Sequence, residues 1–355
     1  EYGFERAVSG AEYSMKALAD AVKAVIFSPK WKRNKPGQSL SPLWFNNPVY
    51  YFYSAWKILR YGEFDLIHAH GKYILPGAVI AGWLSGKSVV VTVRDFKFLC
   101  PLGLCFLHQS RCTLREYINR EIPEYQKRYG GAGRIKLIVA KLWQYQLRWW
   151  LNQADQVVAV SPQLKEIYEA NGVNRVISIY NLPPQKQKAS QGKTILSVGK
   201  LSYGKGTDMI IEAARLLPQY QFVFAGQLNP SLKPVFPNNC RYLGQVSHKR
   251  ALKLYAQAGV FVINSRWPEP LSRAGLEALS FGLPIVASDR GGNRELVKDN
   301  GILIYPEQPK AIAAAIIKVA KQQKALGVAS HRLLAGRFNW KKIIKQHLKL
   351  YRAIL

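Results

Sequence analysis

Short apolar runs rich in β-branched residues alternate with amphipathic stretches along this whole chain, and the series occurs twice. The first series is Ala24–Phe27, Leu66–His70, Val89–Val93, Gln156–Val160 and Val176–Ile179. The second is Thr194–Val198, Gln221–Ala225, Val260–Ile263, Pro284–Ala287 and Gly301–Ile304. Most of these runs are continuously apolar. A strand reads that way when both its faces are covered, as in a parallel sheet with helices on each side. The pattern predicts an α/β chain of two doubly wound, Rossmann-like domains facing a central cleft. Between the two series, Asn181–Gly192 is rich in proline and polar residues and reads as the linker. That sets an N-terminal domain at 1–183 and a C-terminal one at 184–336. Such domains usually open with a strand, yet this sequence opens in the turn, with Ser9-Gly10 before the helix Ala11–Val22. Either an N-terminal strand is missing from the sequence or the first sheet is one strand short.

Composition excludes several classes. With 355 residues, 48% hydrophobic and 20% charged, general disorder is ruled out. No apolar run reaches the ~18 residues that span a bilayer; the best, Ile74–Leu84, is interrupted by Pro76, Gly77 and Gly82. No secretory signal stands at the start, and four cysteines suit a reducing compartment rather than a disulfide scaffold. The net charge of +30 divides into +11 over residues 1–183 and +19 over 184–355, so it is not a tail. Such a field attracts nucleic acid, an anionic bilayer or a phosphorylated ligand, or else serves solubility.

Three segments carry chemistry. In Ser265-Arg-Trp-Pro-Glu-Pro-Leu-Ser-Arg-Ala-Gly-Leu-Glu277 a loop stiffened by Pro268 and Pro270 runs into a helix with Ser272 as N-cap. Backbone N–H groups at a helix start suit a pyrophosphate, and Glu269 and Glu277 can accept hydrogen bonds from ribose or sugar hydroxyls. Ser197-Val-Gly-Lys-Leu-Ser-Tyr-Gly-Lys-Gly206 places glycines for close backbone approach beside Lys200 and Lys205, which can neutralise phosphate oxygens. Asp289-Arg-Gly-Gly-Asn-Arg-Glu295 adds a third glycine-rich turn after a strand.

The order of these segments resembles that of the retaining glycosyltransferases of the GT-B fold, family 4 (glycosyl transferases group 1). The two-glutamate segment is similar to that family's EGFG-type motif, "VGKLSYGKG" to its "VGRLxxxKG", and "DRGGNREL" to its Gly-Gly turn. "FDLIHAHG", "VVVTVRDFKFLCP" and "ADQVVAVSPQLKEIY" match segments of the N-terminal half. The resemblance implies that Lys200 and Lys205 bind the donor diphosphate, Glu277 the nucleotide ribose and Glu269 the transferred sugar. It implies further that backbone amides at Leu271, Ser272 and Arg273 reach the donor, with Gly10 near the phosphates and acceptor. Arg94, where many members have His, and His70 join Glu269 in the expected catalytic set. The ending "FNWKKIIKQHLKLYRAIL" resembles the family's returning helix, so residues 337–355 are expected to pack on the N-terminal domain.

What the resemblance implies about chemistry is retention without a protein nucleophile, the leaving diphosphate helping to deprotonate the acceptor. The donor is a UDP- or GDP-sugar, the acceptor a lipid-linked or cell-envelope glycan, and no metal or other cofactor is required. Arg94 cannot serve as a general acid or base near neutral pH but can bind a phosphate or hydroxyl. Lys200 replaces the family's usual Arg and loses its fork. A silent family subunit and a nucleic-acid-binding protein are the alternatives; the second has no recognition motif, and no nucleic acid partner is expected.

Remaining signals each have two readings. Cys100, Cys105, His108 and Cys112 have the donor types of a zinc site, a disulfide or free thiols. His68 and His70 alternate along a strand, and we place them on opposite sides, with His70 toward the cleft and His68 structural. The Trp-rich stretch Arg134–Asn152 carries Arg134, Lys141 and Arg148 seven apart. It suits the plane of an anionic membrane or a core contact. With lipid-linked acceptors in view, the expectation is a cytoplasmic enzyme, peripheral on the cytoplasmic membrane face.

Overall fold

The computed structural model describes residues 10–25, 48–103, 113–129 and 133–355. They form two compact units: unit 1 holds the described residues of 1–103, 138–182 and 341–355, and unit 2 those of 104–137 and 183–340. The described residues of 104–137 thus group with unit 2, which a linear division at 183/184 does not contain.

In unit 1 four parallel strands lie side by side in chain order: β1 (Leu66–His70), β2 (Ser88–Val93), β3 (Gln156–Ala159) and β4 (Val176–Ser178). Val89, Val90, Val91 and Val93 of β2 are all buried, as its apolar run requires. The helices described up to residue 182 are α1 (Gly10–Val22), α2 (Pro48–Leu59), α3 (Leu75–Ser85), α4 (Leu114–Glu116), α5 (Ile122–Tyr129), α6 (Arg134–Gln153) and α7 (Pro162–Ala170). A π turn over Tyr117–Glu121 joins α4 to α5. The expected strand Ala24–Phe27 does not start at Ala24. Lys23 adopts φ 54°, and the Ala24 N–H donates to Ala19 O at 2.8 Å, which closes α1 instead. Ile26 and Phe27 lie outside the described residues.

Unit 2 is a six-stranded parallel sheet of β5 (Thr194–Val198), β6 (Phe222–Ala225), β7 (Cys240–Tyr242), β8 (Ala258–Ile263), β9 (Ile285–Ser288) and β10 (Gly301–Ile304). Its spatial order, β10-β9-β8-β5-β6-β7, is the doubly wound one, with the first strand, β5, beside the fourth, β8. The later helices are α8 (Thr207–Arg215), α9 (His248–Ala256), α10 (Arg273–Ser280), α11 (Pro309–Lys321), α12 (Gln323–Gly336) and α13 (Trp340–Ile354). Ile210 and Ile211 of α8 and Ile312 and Ile316 of α11 pack with Phe222, Phe224, Val260 and Val286 in the core. Burying such a side chain contributes ~1.5–3 kcal/mol.

Three readings need correction or refinement. Within the linker, the N–H groups of Gln187 and Ser190 donate to Ser280 O and Phe281 O at 2.8 and 2.9 Å. Its second half is therefore stitched to unit 2 rather than free. On α6, Lys141 is buried and donates to Leu99 O at 2.8 Å, while Arg148 donates to Asn171 O at 2.8 Å. Two of the three stripe residues therefore serve backbone carbonyls, while Arg134 is exposed, and large apolar side chains also lie open to solvent along the helix: Ile135, Val139, Leu142, Tyr145 and Trp149. Lastly, β7 was not anticipated, because only three residues with exposed Arg241 and Tyr242 form this edge.

Helix α13 lies with unit 1 from Lys341 onward. It buries Ile343, His347 and Leu350, one face of the helix, and turns its lysines outward. Tyr351 Oη bonds His68 Nδ1 at 2.7 Å, and Ser88 Oγ donates to Ile354 O at 2.6 Å, fixing the helix to β1 and β2.

Candidate functional site

The doubly wound order makes β5 and β8 the switch point of unit 2, and the loops after these two strands meet there. After β5, Ser202 caps a 3₁₀ turn over Tyr203–Lys205 by accepting from the Lys205 N–H. Gly206 follows at φ +61°, and a Cβ there would lie 2.1 Å from Asn264 O, the first residue past β8. Glycine is required at that point by the neighbouring backbone.

The crossing aligns Lys205 with Glu269. The ammonium lies 2.7 and 2.6 Å from the two carboxylate oxygens, and Ser265 Oγ donates to Oε2 at 2.8 Å. Lys205 also stands 4.9 Å over the Trp267 ring. The Glu269 side chain is 9% exposed and that of Lys205 30%, so the pair is shielded but reachable. The third glycine-rich turn braces it: the Gly292 N–H donates to Glu269 O at 2.5 Å, and a Cβ at Gly292 would lie 2.1 Å from Pro270 O. These glycines let the turn dock on the glutamate loop.

Sequence reasoning missed the second brace, Arg266. Its guanidinium takes both oxygens of Asp208 at 2.6 and 2.8 Å, donates to Glu307 at 3.0 Å and to Tyr203 O at 2.6 Å, and stacks 3.8 Å over the Tyr203 ring. It ties the lysine loop to the glutamate loop.

Helix α10 starts at Arg273, capped as expected by Ser272, whose Oγ accepts from the Gly275 N–H at 3.2 Å. Leu271 and Ser272 are buried. One and a half turns on, the buried Glu277 carboxylate accepts from Arg273 Nε at 3.3 Å and lies 3.1 Å from His248 Nε2. His248, the first residue of α9, belongs to none of the three sequence segments. Burial, then the charge of Glu277, pushes the Tyr255 phenol well above its ordinary range. Unit 2 thus brings Lys205 and Glu269 into contact and sets Leu271, Ser272, Arg273 and Glu277 on the segment that follows. Lys200 lies on the lysine loop and is exposed.

Unit 1 holds the other expected residues. His70 ends β1 and Arg94 follows β2, with Arg94 Nη1 donating to His70 Nδ1 at 2.6 Å and Nε to Asn181 Oδ1 at 3.0 Å. Since Nδ1 accepts from Arg94, the neutral ring carries its proton on Nε2 and presents a donor there. His68 does not face the opposite side: the two rings stack with centroids 4.3 Å apart. Residues two apart on a strand share a face, so the opposite-side reading was an error of period. His68 bonds Thr92 Oγ1 at 2.7 Å and Tyr351. Burial first, then neighbouring histidine and Arg94 charges, holds His68 and His70 well below the usual imidazole range. Gly10 is the first residue of α1.

Of the cysteine set, Cys105, His108 and Cys112 lie outside the described residues, and Cys100 is buried. The Cys240 thiol is pushed up to about 11 by burial. Among the described residues no group of three or more His, Cys, Asp or Glu side chains could hold a metal ion.

Two family models match in tandem. The one described as Glycosyltransferase Family 4 covers residues 9–182, and the one described as Glycosyl transferases group 1 covers 179–331. Spore coat protein SA of Bacillus subtilis is 31% identical over 45% of this chain and 48% of its own length. The O-antigen biosynthesis glycosyltransferase WbnH of Escherichia coli is 26% identical over 64% of this chain and 66% of its own. The chain therefore spans about half to two thirds of these curated relatives. Sucrose-phosphate synthase from Thermosynechococcus elongatus superposes with TM-score 0.70 at 17% identity, over 97% of this chain and 93% of that one. Anabaena HepE in complex with UDP and glucose gives TM-score 0.64 at 21% identity, over 90% and 84%. Both structural likenesses bear on the fold alone.

Proposed function

Because this chain belongs to the GT-B glycosyltransferases of family 4, we propose that it transfers a hexose-type sugar from a nucleotide-diphosphate sugar to a glycan acceptor with retention of configuration. The observation that carries the reading is the Lys205–Glu269–Ser265 cluster at the switch point of unit 2, followed at once by α10 and Glu277. In this reading Lys205, with the exposed Lys200, neutralises the departing diphosphate. The backbone amides of Leu271, Ser272 and Arg273, leading into α10, add donors to it. Glu269 accepts hydrogen bonds from the sugar and Glu277 from the ribose. The enzyme's contribution is positioning and charge stabilisation. The donor in this reading is a UDP- or GDP-sugar; HepE, similar in fold, is in complex with UDP and glucose.

The test is a thermal-shift panel of UDP-, GDP- and ADP-sugars, since a ligand of the folded state raises the midpoint. One of them should raise it; a panel that leaves it unmoved counts against the reading. In the responding case Glu277→Ala should weaken donor binding ten- to a hundredfold, the equivalent of ~1.5–3 kcal/mol for lost charged hydrogen bonds. Unchanged affinity by calorimetry would remove Glu277 from the site.

A lipid-linked or cell-envelope acceptor, met at the cytoplasmic membrane face, completes the proposal. WbnH is named for O-antigen biosynthesis, which supports an envelope glycan. Among the described residues no helix is long and apolar enough to cross a membrane. Attachment is interfacial in this reading, through the outward face of α6 at Val139, Leu142 and Trp149, with Trp83 of α3 against Trp149 at 6.3 Å. Substituting Val139, Leu142 and Trp149 by Ser should cut co-sedimentation with phosphatidylglycerol vesicles at least fivefold at unchanged melting temperature. Equal sedimentation of wild type and variant would reject this face.

A further inference from the structure

Resting on the transferase reading, we propose that Arg94 is the receptor for an anionic group, a carboxylate or phosphate other than the donor diphosphate, carried by one of the two substrates. The guanidinium lies just past the C-terminal end of β2, beside the end of β1 at His70 and the segment after β4 at Asn181. In open parallel sheets that edge is where ligands enter.

Its charge balance is unusual. Arg94 is partly buried, and both of its partners, the Asn181 amide oxygen and His70 Nδ1, are neutral. Among the described residues no carboxylate forms an ion pair with it. The adjacent Asp95 is turned to Lys97, accepting from its N–H at 2.8 Å and standing 3.6 Å from its ammonium. His68, which stacks on His70, contacts Thr92, His347 and Tyr351, and burial favours the neutral form of each of the three histidines. Burial also lowers Arg94 itself, to about 10, a value at which it stays charged at neutral pH. The Asp95 charge favours the cation from nearby without bonding it, so a shielded guanidinium whose hydrogen-bond partners are all neutral retains a demand for a directly bonded counter-charge.

The geometry points to a fork. Nε and one Nη1 proton are used, and Nη2 has no hydrogen-bond partner among the described residues. Asn181 and His70 hold the guanidinium plane, and a planar pair of N–H donors matches a carboxylate or phosphate. His70 Nε2–H supplies a further donor from the same edge. Two substrates could bring the anion: a uronic acid in the donor, or a phosphate on the acceptor.

Calorimetric titration of the full chain with UDP, UDP-glucose, UDP-glucuronate and glucose 6-phosphate separates them, in wild type, Arg94→Gln and Arg94→Lys. Circular dichroism checks that each variant folds. We expect one anionic probe to lose tenfold or more in affinity in Arg94→Gln and less in Arg94→Lys, with UDP binding unchanged within twofold. Loss confined to UDP-glucuronate assigns a donor carboxylate, and loss confined to glucose 6-phosphate an acceptor phosphate. If UDP binds while neither anionic probe responds to Arg94→Gln, the proposal fails and the transferase reading stands. An equal loss for UDP itself also overturns it, since Arg94 would then serve the diphosphate. If wild type binds neither nucleotide nor nucleotide sugar, the transferase reading fails separately. Phosphate titration then decides Arg94 alone, an unchanged response in Arg94→Gln overturning the proposal. Should Arg94→Gln not fold, the intermediate loss in Arg94→Lys is the deciding result.

Discussion

Glu269→Ala is expected to reduce turnover about a hundredfold or more at saturating donor while leaving UDP affinity within a few fold. The carboxylate accepts from Lys205 and Ser265 at 2.6–2.8 Å in a shielded site. A lost hydrogen bond to a charged group costs ~1.5–3 kcal/mol, so a turnover loss near 3 kcal/mol is the natural scale. UDP affinity escapes because Lys205, released from its partner, remains available to phosphate. A fall in kcat with KM little changed is the signature of an interaction made in the transition state. Glu269→Gln preserves shape and separates charge from packing. Wild-type turnover in either variant would show that Glu269 only anchors Lys205.

Gly206→Ala should destabilise unit 2 severely, by roughly 2–5 kcal/mol. About 1–2 kcal/mol comes from a left-handed backbone at a residue with a Cβ, and about 1–3 kcal/mol from overpacking against Asn264 O at 2.1 Å. Each kcal/mol lowers the melting temperature of a domain this size by ~2–4 °C. The control is Gly86→Ala, which has a similar φ of +66° with nothing within 4 Å of the added carbon, and so carries the backbone cost alone. Donor binding should fall in Gly206→Ala as well, because Asn264 immediately precedes Ser265. Equal melting temperatures for the two variants would contradict the crossing of the two loops.

Nine of the ten anticipated strands stand within two residues of where the apolar runs place them, from Leu66–His70 to Gly301–Ile304. Burial on both faces leaves a continuous apolar run that periodicity can read. The edge strand Cys240–Tyr242 left no such trace, and Ala24 was claimed by the end of α1. In the site, the residues next to glycines and prolines were legible, because local backbone constraints are written in adjacent positions. Arg266, Asp208 and Glu307 were not, since their pairing joins residues 41 and 58 apart in the chain. The basic stripe of α6 misled for a related reason. Seven-residue spacing shows that three side chains share a face, not whether that face meets solvent or the carbonyl of Leu99.

The attachment of α13 to unit 1 sets an order on synthesis. Residues up to 182 leave the ribosome first, yet the helix that bonds His68 and Ser88 is not made until residues 341–355. At ~5–20 residues per second, the intervening stretch occupies on the order of ten to thirty seconds. During that interval β1 and β2 lack the helix, His68 has no tyrosine to bond, and the β1–β2 surface that α13 will cover is open to other chains. The sheet of unit 2, made in a single run from β5 to β10, can close before that of unit 1 is finished. Unit 1 is therefore begun before unit 2 and completed after it.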